Sequence, residues 1–284
     1  RDLHNSPHSF PTRRSSDLDL VGVYRERPPA PAPAMEARQF YDKLLTMVRA
    51  DLMGHTEEGF VYRVDFRLRP YGRAGPLAVS TASARRYYGS TAALWEIQAL
   101  LKARPVAGNR ELGRELLADL RPVLTRPWDR APLVASIRRL RAKAQGTHGR
   151  PGVVDIKTGP GGIRDVEFLV QALQLAHGHQ DPTVLMPGTQ DAIAALVRAN
   201  RLDPHTGQDL QESYAFLRRV EHFLQLFEDR QTHALPELPA ARDALARRVL
   251  GPGHTGVDLM AALEAVTQRT ASRFDTGLAR LETT

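Results

Sequence analysis

Between Tyr62 and Pro70 the chain alternates two chemistries with a period of two, with Val64, Phe66 and Leu68 on one side and Asp65, Arg67 and Arg69 on the other. A β-strand sends successive side chains to opposite faces. The stretch therefore predicts a strand over Phe60–Leu68, with one core face and one face carrying a carboxylate beside two guanidiniums. A second segment, Asp17-Leu18-Asp19-Leu20-Val21, again places carboxylates on one face and leucines on the other. On neighbouring strands, Asp17, Asp19 and Asp65 would supply the hard oxygen ligands that divalent cations take. The guanidinium forks of Arg67 and Arg69 match phosphate oxygens. Together they read as metal-assisted nucleotidyl transfer, in which metal ions held by the carboxylates activate the attacking oxygen and neutralise the leaving phosphate. On these residues alone a plainer reading stays open, that Asp65 and Arg67 form a surface charge pair worth less than about 1 kcal/mol.

A second candidate anion site is Gly159-Pro160-Gly161-Gly162, which leads into a helix and could present backbone N–H groups. Asp165 and Glu167 in the following turn would repel a phosphate there and suit the helix dipole instead. This favours a structural turn and leaves Lys157 and Arg164 as the phosphate-binding candidates. Arg218, Arg219, Glu221, His222, Gln225, Asp229 and His233 thread one long helical segment and its end, and read as surface or interhelical polar contacts. His222 and His233 lack the spacing of zinc ligands. Trp95, Glu96 and Gln98 read as packing and capping residues.

These candidates need elements to hold them. After the Asp19–Tyr24 strand comes a proline-rich loop, Arg27–Pro33, which cannot continue a ladder. Met35–Met53 predicts an amphipathic helix with Phe40, Leu44, Met47, Val48 and Leu52 near a 3.6-residue period. Leu77–Ser80 predicts a further short strand, and Thr81 or Ser83 a helix cap. From there the pattern is helical: Trp95–Arg104, Asn109–Leu124, Ala131–Ala144, Ile163–His177, Thr189–Ala199, Gly207–Gln231, Ala240–Leu250 and Val257–Leu281. The reading is a small α+β unit followed by an all-α domain, with a boundary near residues 110–130.

At 284 residues the chain has room for one large domain or two modest ones. It has no cysteine, which excludes disulfides and thiolate metal sites and agrees with a cytoplasmic location. No apolar run reaches membrane-spanning length. The net charge of +7 is carried mainly by arginine, with neither a dense basic stripe nor an aromatic stacking platform to suggest nucleic acid. The segment His8–Leu18 resembles the translation of a DNA-sequencing adapter. Residues 1–18 are therefore expected to be artefactual and unstructured, which puts the origin of Asp17 in question.

Several blocks in order resemble one family. They are Ser16–Val21, Tyr62–Gly72, Trp95–Leu100 with Lys102-Ala103-Arg104, Gly161–Phe168, Phe216–His222 and Gln231–Pro236. The resemblance is to the glutamine-synthetase adenylyltransferase/adenylyl-removing enzymes. It implies an α+β, mostly helical fold: a truncated polymerase-β-like nucleotidyltransferase domain over 19–120, then an all-α helical bundle over 121–284. It also implies two magnesium ions on Asp17, Asp19 and Asp65, ATP or ADP as nucleotide, glutamine synthetase as partner, and a PII-type signalling protein as a second candidate partner. The wording of the Arg-Pro-Tyr-Gly, Ile-Arg-Asp-Val-Glu-Phe and Gln-Thr-His-Ala-Leu-Pro blocks favours the N-terminal, adenylyl-removing half, which acts by phosphorolysis. One departure stands out, because the family carries a glycine-containing segment upstream of the Asp-Leu-Asp strand where this chain has adapter-like sequence. The competing readings are the adenylylating half, a uridylyltransferase relative acting on a signalling protein, and a non-catalytic basic helical module that binds nucleic acid.

Overall fold

The computed structural model describes residues 18–26, 36–54, 57, 64–148, 154–228 and 233–283. Two short parallel pairings open it. Strand β1 (Leu18–Asp19) pairs with β3 (Val64–Asp65), and β2 (Gly22–Tyr24) pairs with β4 (Ala78–Ser80). Parallel strands need a crossover, and helix α1 (Ala37–Met53) is that crossover. It lies against β2, β3 and β4. Its Asp42 carboxylate accepts the Ala78 amide at 2.8 Å, fixing the helix to the strand. The amphipathic stripe predicted for α1 is only partly used, since Phe40, Leu44 and Met47 are 52%, 42% and 58% exposed.

The strand expected over Phe60–Leu68 is shorter than its alternation suggests. Residues 60–63 lie outside the described residues, and strand pairing ends at Asp65. The cause is local. Asp65 Oδ1 accepts the Arg67 amide at 2.7 Å, and Arg69 N–H donates to the Phe66 carbonyl at 3.3 Å. A carboxylate that bonds the backbone two residues on makes an Asx turn, which competes with a ladder. Arg67 and Arg69 therefore do not share a strand face with Asp65. The chain then turns through Tyr71, left-handed at φ 62°, and Gly72 at φ 54°.

Helices α2 (Thr81–Ser90) and α4 (Arg110–Leu124) cover β4. Val79, Ala84, Tyr87, Tyr88, Leu116 and Leu120 form one core there. The cap of α2 is Ser80, whose Oγ accepts the Ser83 amide at 3.1 Å, rather than Thr81 or Ser83. Helix α3 (Leu94–Leu100) is capped by Glu96, which accepts the Ala93 amide at 2.8 Å and the Tyr87 hydroxyl at 2.6 Å. Gln98 donates to Gln171 at 3.2 Å, so both polar residues hold structure, whereas Trp95 is 41% exposed.

The remaining helices are α5 (Arg130–His148), α6 (Ile163–His177), α7 (Thr189–Arg198), α8 (Pro204–Glu228), α9 (Pro239–Val249) and α10 (Gly256–Thr283). Helix α6 is their axis, because twelve of its fifteen residues are buried. A helix apolar on nearly every side belongs at the centre of a bundle. It packs on α5, α7, α8 and α10. Its start depends on Gly161, at φ +71°, where a Cβ would collide with the Thr267 carbonyl of α10. The described residues are thus mostly helical α+β, with ten helices and four short strands. No helix among them is long and apolar enough to cross a membrane.

Candidate functional site

The parallel register of β1 and β3 sets Asp19 directly opposite Asp65. Residues paired in this way point to the same face of a sheet, on strands about 4.8 Å apart. The Leu20 amide donates to the Asp65 carbonyl at 2.8 Å and locks the pairing next to the two carboxylates. Asp19 is exposed, and the Asp65 side chain is 16% exposed. The structure therefore brings together two of the three carboxylates predicted from sequence. Asp17 lies outside the described residues, and no group of three metal-ligating side chains occurs among those described.

Arg67 folds back over Asp65, with its Nε and its Nη2 each 2.5 Å from Oδ2. Burial on its own would raise the Asp65 carboxyl, but the Arg67 hydrogen bonds and the charges of Arg67 and Arg73 outweigh it and hold the group below the usual carboxylate range. Asp65 is thus firmly ionised at neutral pH, as a cation ligand must be. Arg69 does something else. It is 9% exposed and donates to the carbonyls of Phe66 at 2.7 Å, Gly75 at 3.1 and 3.0 Å, and Arg73 at 3.4 Å. Its guanidinium braces the turn after β3, so the expectation that it faces a phosphate beside Asp65 is corrected.

The Gly159–Gly162 turn spends its amides internally. Gly162 N–H donates to Gly159 O, Ile163 N–H to Ile156 O and Arg164 N–H to Lys157 O, each at 3.0 Å. Gly161 N–H donates to Asp165 Oδ2 at 2.7 Å. Asp165, 2% exposed, is gripped in turn by Arg141 through contacts of 2.6, 2.9 and 3.1 Å. Burial pushes the Asp165 carboxyl up, against the pull of Arg141 and the Gly161 amide. The turn is structural, as the acids in its first helical turn suggested.

Lys157 and Arg164 lie in the helical part. Arg164 is exposed on α6, its guanidinium 5.9 Å from the Phe168 ring. Lys157 belongs to a polar cluster around the buried Glu221, whose other members, Arg218, Glu221 and His233, the sequence suggested only as surface or interhelical contacts. Its Nζ lies 3.4 Å from Glu221 Oε1 and 3.4 Å from His233 Nε2. Glu221, 3% exposed, also pairs with Arg218. His233 Nδ1 sits 3.3 Å from Glu221 Oε1, an ion-pair distance without hydrogen-bond alignment. Burial would raise Glu221, yet His233, Arg218 and Lys157 together draw its carboxyl down to about 2. Beside this cluster, Glu167 accepts from Lys102 Nζ at 2.8 Å and from the Tyr214 hydroxyl at 3.1 Å. The alternation of charges along α8 carried no mark of it, because the partners come from residues 102, 157, 167 and 233.

The chain is similar to known proteins along most of its length. Residues 13–119 match a family described as glutamate-ammonia ligase adenylyltransferase, and residues 135–277 match one described as GlnD PII-uridylyltransferase. A bifunctional glutamine synthetase adenylyltransferase/adenylyl-removing enzyme of Xanthomonas oryzae is 38% identical over 263 residues, covering 92% of this chain and 28% of the relative. Proteins of the same name from Xanthobacter autotrophicus and Thioalkalivibrio sulfidiphilus are each 40% identical, over 238 and 234 residues, covering 82% of this chain and 24% of theirs. The chain spans about a quarter of the length of the curated relatives it matches.

Proposed function

This chain belongs to the family of glutamine synthetase adenylyltransferase/adenylyl-removing enzymes, and we propose that it carries part of the machinery moving AMP on and off a tyrosine of glutamine synthetase. The favoured direction is removal. A phosphate oxygen bonds to the α-phosphorus, the bond from that phosphorus to the tyrosine oxygen breaks, and the phenolate collects a proton, leaving ADP and free tyrosine. The observation that carries this reading is the pairing of Asp19 with Asp65 on adjacent parallel strands.

The donor set fits a hard divalent cation, with two carboxylates side by side and Asp17 as a third candidate outside the described residues. When bound, a pair of magnesium ions supplies charge neutralisation at the α-phosphate. The chain's own residues prepare for that. The Arg67 pair keeps Asp65 ionised, and the long, 61% exposed Arg67 side chain can exchange its carboxylate partner for a phosphate oxygen. Arg69 contributes by fixing the turn that ends β3. Lys157 and Arg164 are the phosphate contacts assigned to the helical part, Lys157 by leaving Glu221 and Arg164 from its exposed place on α6. The nucleotide would be ATP or ADP according to direction, glutamine synthetase the protein partner, a PII-type signalling protein a regulator, and the cytoplasm the compartment.

The test supplies adenylylated glutamine synthetase, phosphate and magnesium, and reads ADP. Formation that disappears in Asp65→Ala supports the reading, and formation that survives the substitution sinks it. A second reading, transfer of UMP to a signalling protein, rests on the match of residues 135–277 to the uridylyltransferase family. Preference for UTP over ATP as the nucleotide consumed would select it.

A further inference from the structure

A cavity of about 250 Å³ opens among α5, α6, α8 and α10, none of which carries Asp19 or Asp65. Its wall is unusually cationic. Arg130 from the start of α5, Arg201 from the turn before α8, and Arg273 and Arg280 from α10 all line it. Arg273 is committed to Asp209 at 2.6 Å and to His205 at 3.1 Å. The carboxylate in the wall, Asp203, caps α8 by accepting the Thr206 amide at 2.8 Å and its hydroxyl at 3.0 Å.

Two nitrogens of cavity-lining residues are buried without a hydrogen-bond partner among the described residues, Arg130 Nη1 and His177 Nδ1. His177 itself is 8% exposed. A buried donor left unmatched costs more than an ordinary hydrogen bond returns, and a charged donor costs most. Native interiors rarely carry such groups without a reason. An oxyanion seated here would accept from the guanidinium forks, where charge-assisted hydrogen bonds are strongest. Leu169, Leu173 and Leu202 add apolar surface to the wall.

From this geometry we propose that the cavity is a binding site for a small oxyanion, either inorganic phosphate or the carboxylate end of a small acid, held by Arg130, Arg201 and His177. The site is independent of the nucleotidyl-transfer reading. Burial, then the charges of Arg201, Arg130 and His179, push His177 down to about 4, so its imidazole is neutral at pH 7 and can donate or accept one hydrogen bond. The charged groups around it are Arg130 on α5, His179 after α6, Arg201 and Asp203 before α8, and Arg273 and Arg280 on α10. An anion among them favours the imidazolium, so binding raises the His177 value.

The experiment follows the His177 imidazole by ¹H–¹⁵N NMR in the full chain during separate titrations with phosphate and with malonate. A saturable shift with either ion is the expected result, and the ion that saturates at lower concentration identifies the source. Arg201→Gln, at an exposed position, should weaken binding about tenfold or more while circular dichroism shows the fold retained. Arg130→Gln should do the same, and Asp65→Asn should leave it unchanged. The proposal is overturned if neither ion gives a saturable shift, or if binding is unaltered in both arginine variants.

Discussion

Replacing Glu221 by glutamine tests the buried cluster of the helical part more sharply than any other single change. Its carboxyl falls from an ordinary 4.5 to about 2 in the folded protein, because Arg218, Lys157 and His233 outweigh its burial. The Glu221 side chain is 4% exposed, while its partners Arg218, Lys157 and His233 are 42%, 29% and 20% exposed and are screened in part, so the full shift gives an upper figure for the stability. At about 1.4 kcal/mol for each tenfold change in proton affinity, the lowered value corresponds to at most about 3 kcal/mol of folding stability. A depressed acid contributes fully above its unfolded value, and the contribution is lost as pH falls through the folded value. The wild-type protein should therefore exceed Glu221→Gln by up to about 3 kcal/mol at pH 7, and the gap should close between pH 4.5 and about 2. Urea unfolding followed by circular dichroism at a series of pH values measures the difference, which cancels every other titrating group common to the two proteins. A gap below about 1 kcal/mol, the size of an exposed pair, would refute the reasoning. A gap that ignores pH would refute it equally.

Three further outcomes follow from the same geometry. Arg141→Ala strands the buried Asp165 carboxylate and should cost about 3–5 kcal/mol in urea unfolding, and Asp165→Asn in the same chain should recover much of it. Gly161→Ala forces a Cβ into the Thr267 carbonyl at positive φ, and thermal melting should show a loss well above the roughly 1 kcal/mol of an ordinary glycine-to-alanine exchange. Arg69→Lys keeps the charge but not the fork that reaches three carbonyls, so limited proteolysis should cut faster within residues 66–75 than in the parent chain.

The helices were legible in the sequence where one physical rule acted alone. Helix α6 runs from Ile163 to His177 as its apolar run and its leading glycines indicate, since nothing local competes. The β3 reading failed where two rules conflicted. Alternation of Val64, Asp65, Phe66 and Arg67 promised a longer strand, but the Asp65 carboxylate captured the Arg67 amide and turned the chain. The cap of α2 moved by one residue for a similar reason, because Ser80 offered a hydroxyl at the right distance before Thr81 could. The stripe on α1 was visible in sequence, but periodicity carries no information on what covers it, and Phe40 and Met47 are exposed. Of the candidate site, the partnership of Asp19 with Asp65 followed from two matching patterns, and only the register could add that they lie directly opposite. Lys157 with Glu221 and His233, and the arginines around His177, were hidden because their members lie from twelve to more than sixty residues apart and meet only through tertiary packing.

The central claim is that Asp19 and Asp65 form a divalent-cation seat for nucleotidyl transfer. Water-proton relaxation during a manganese titration of the chain in the presence of ADP tests it directly, with Asp19→Asn and Asp65→Asn measured in parallel. The account predicts a saturable manganese site in the parent protein that either substitution weakens at least tenfold. Equal manganese binding by all three proteins would contradict it.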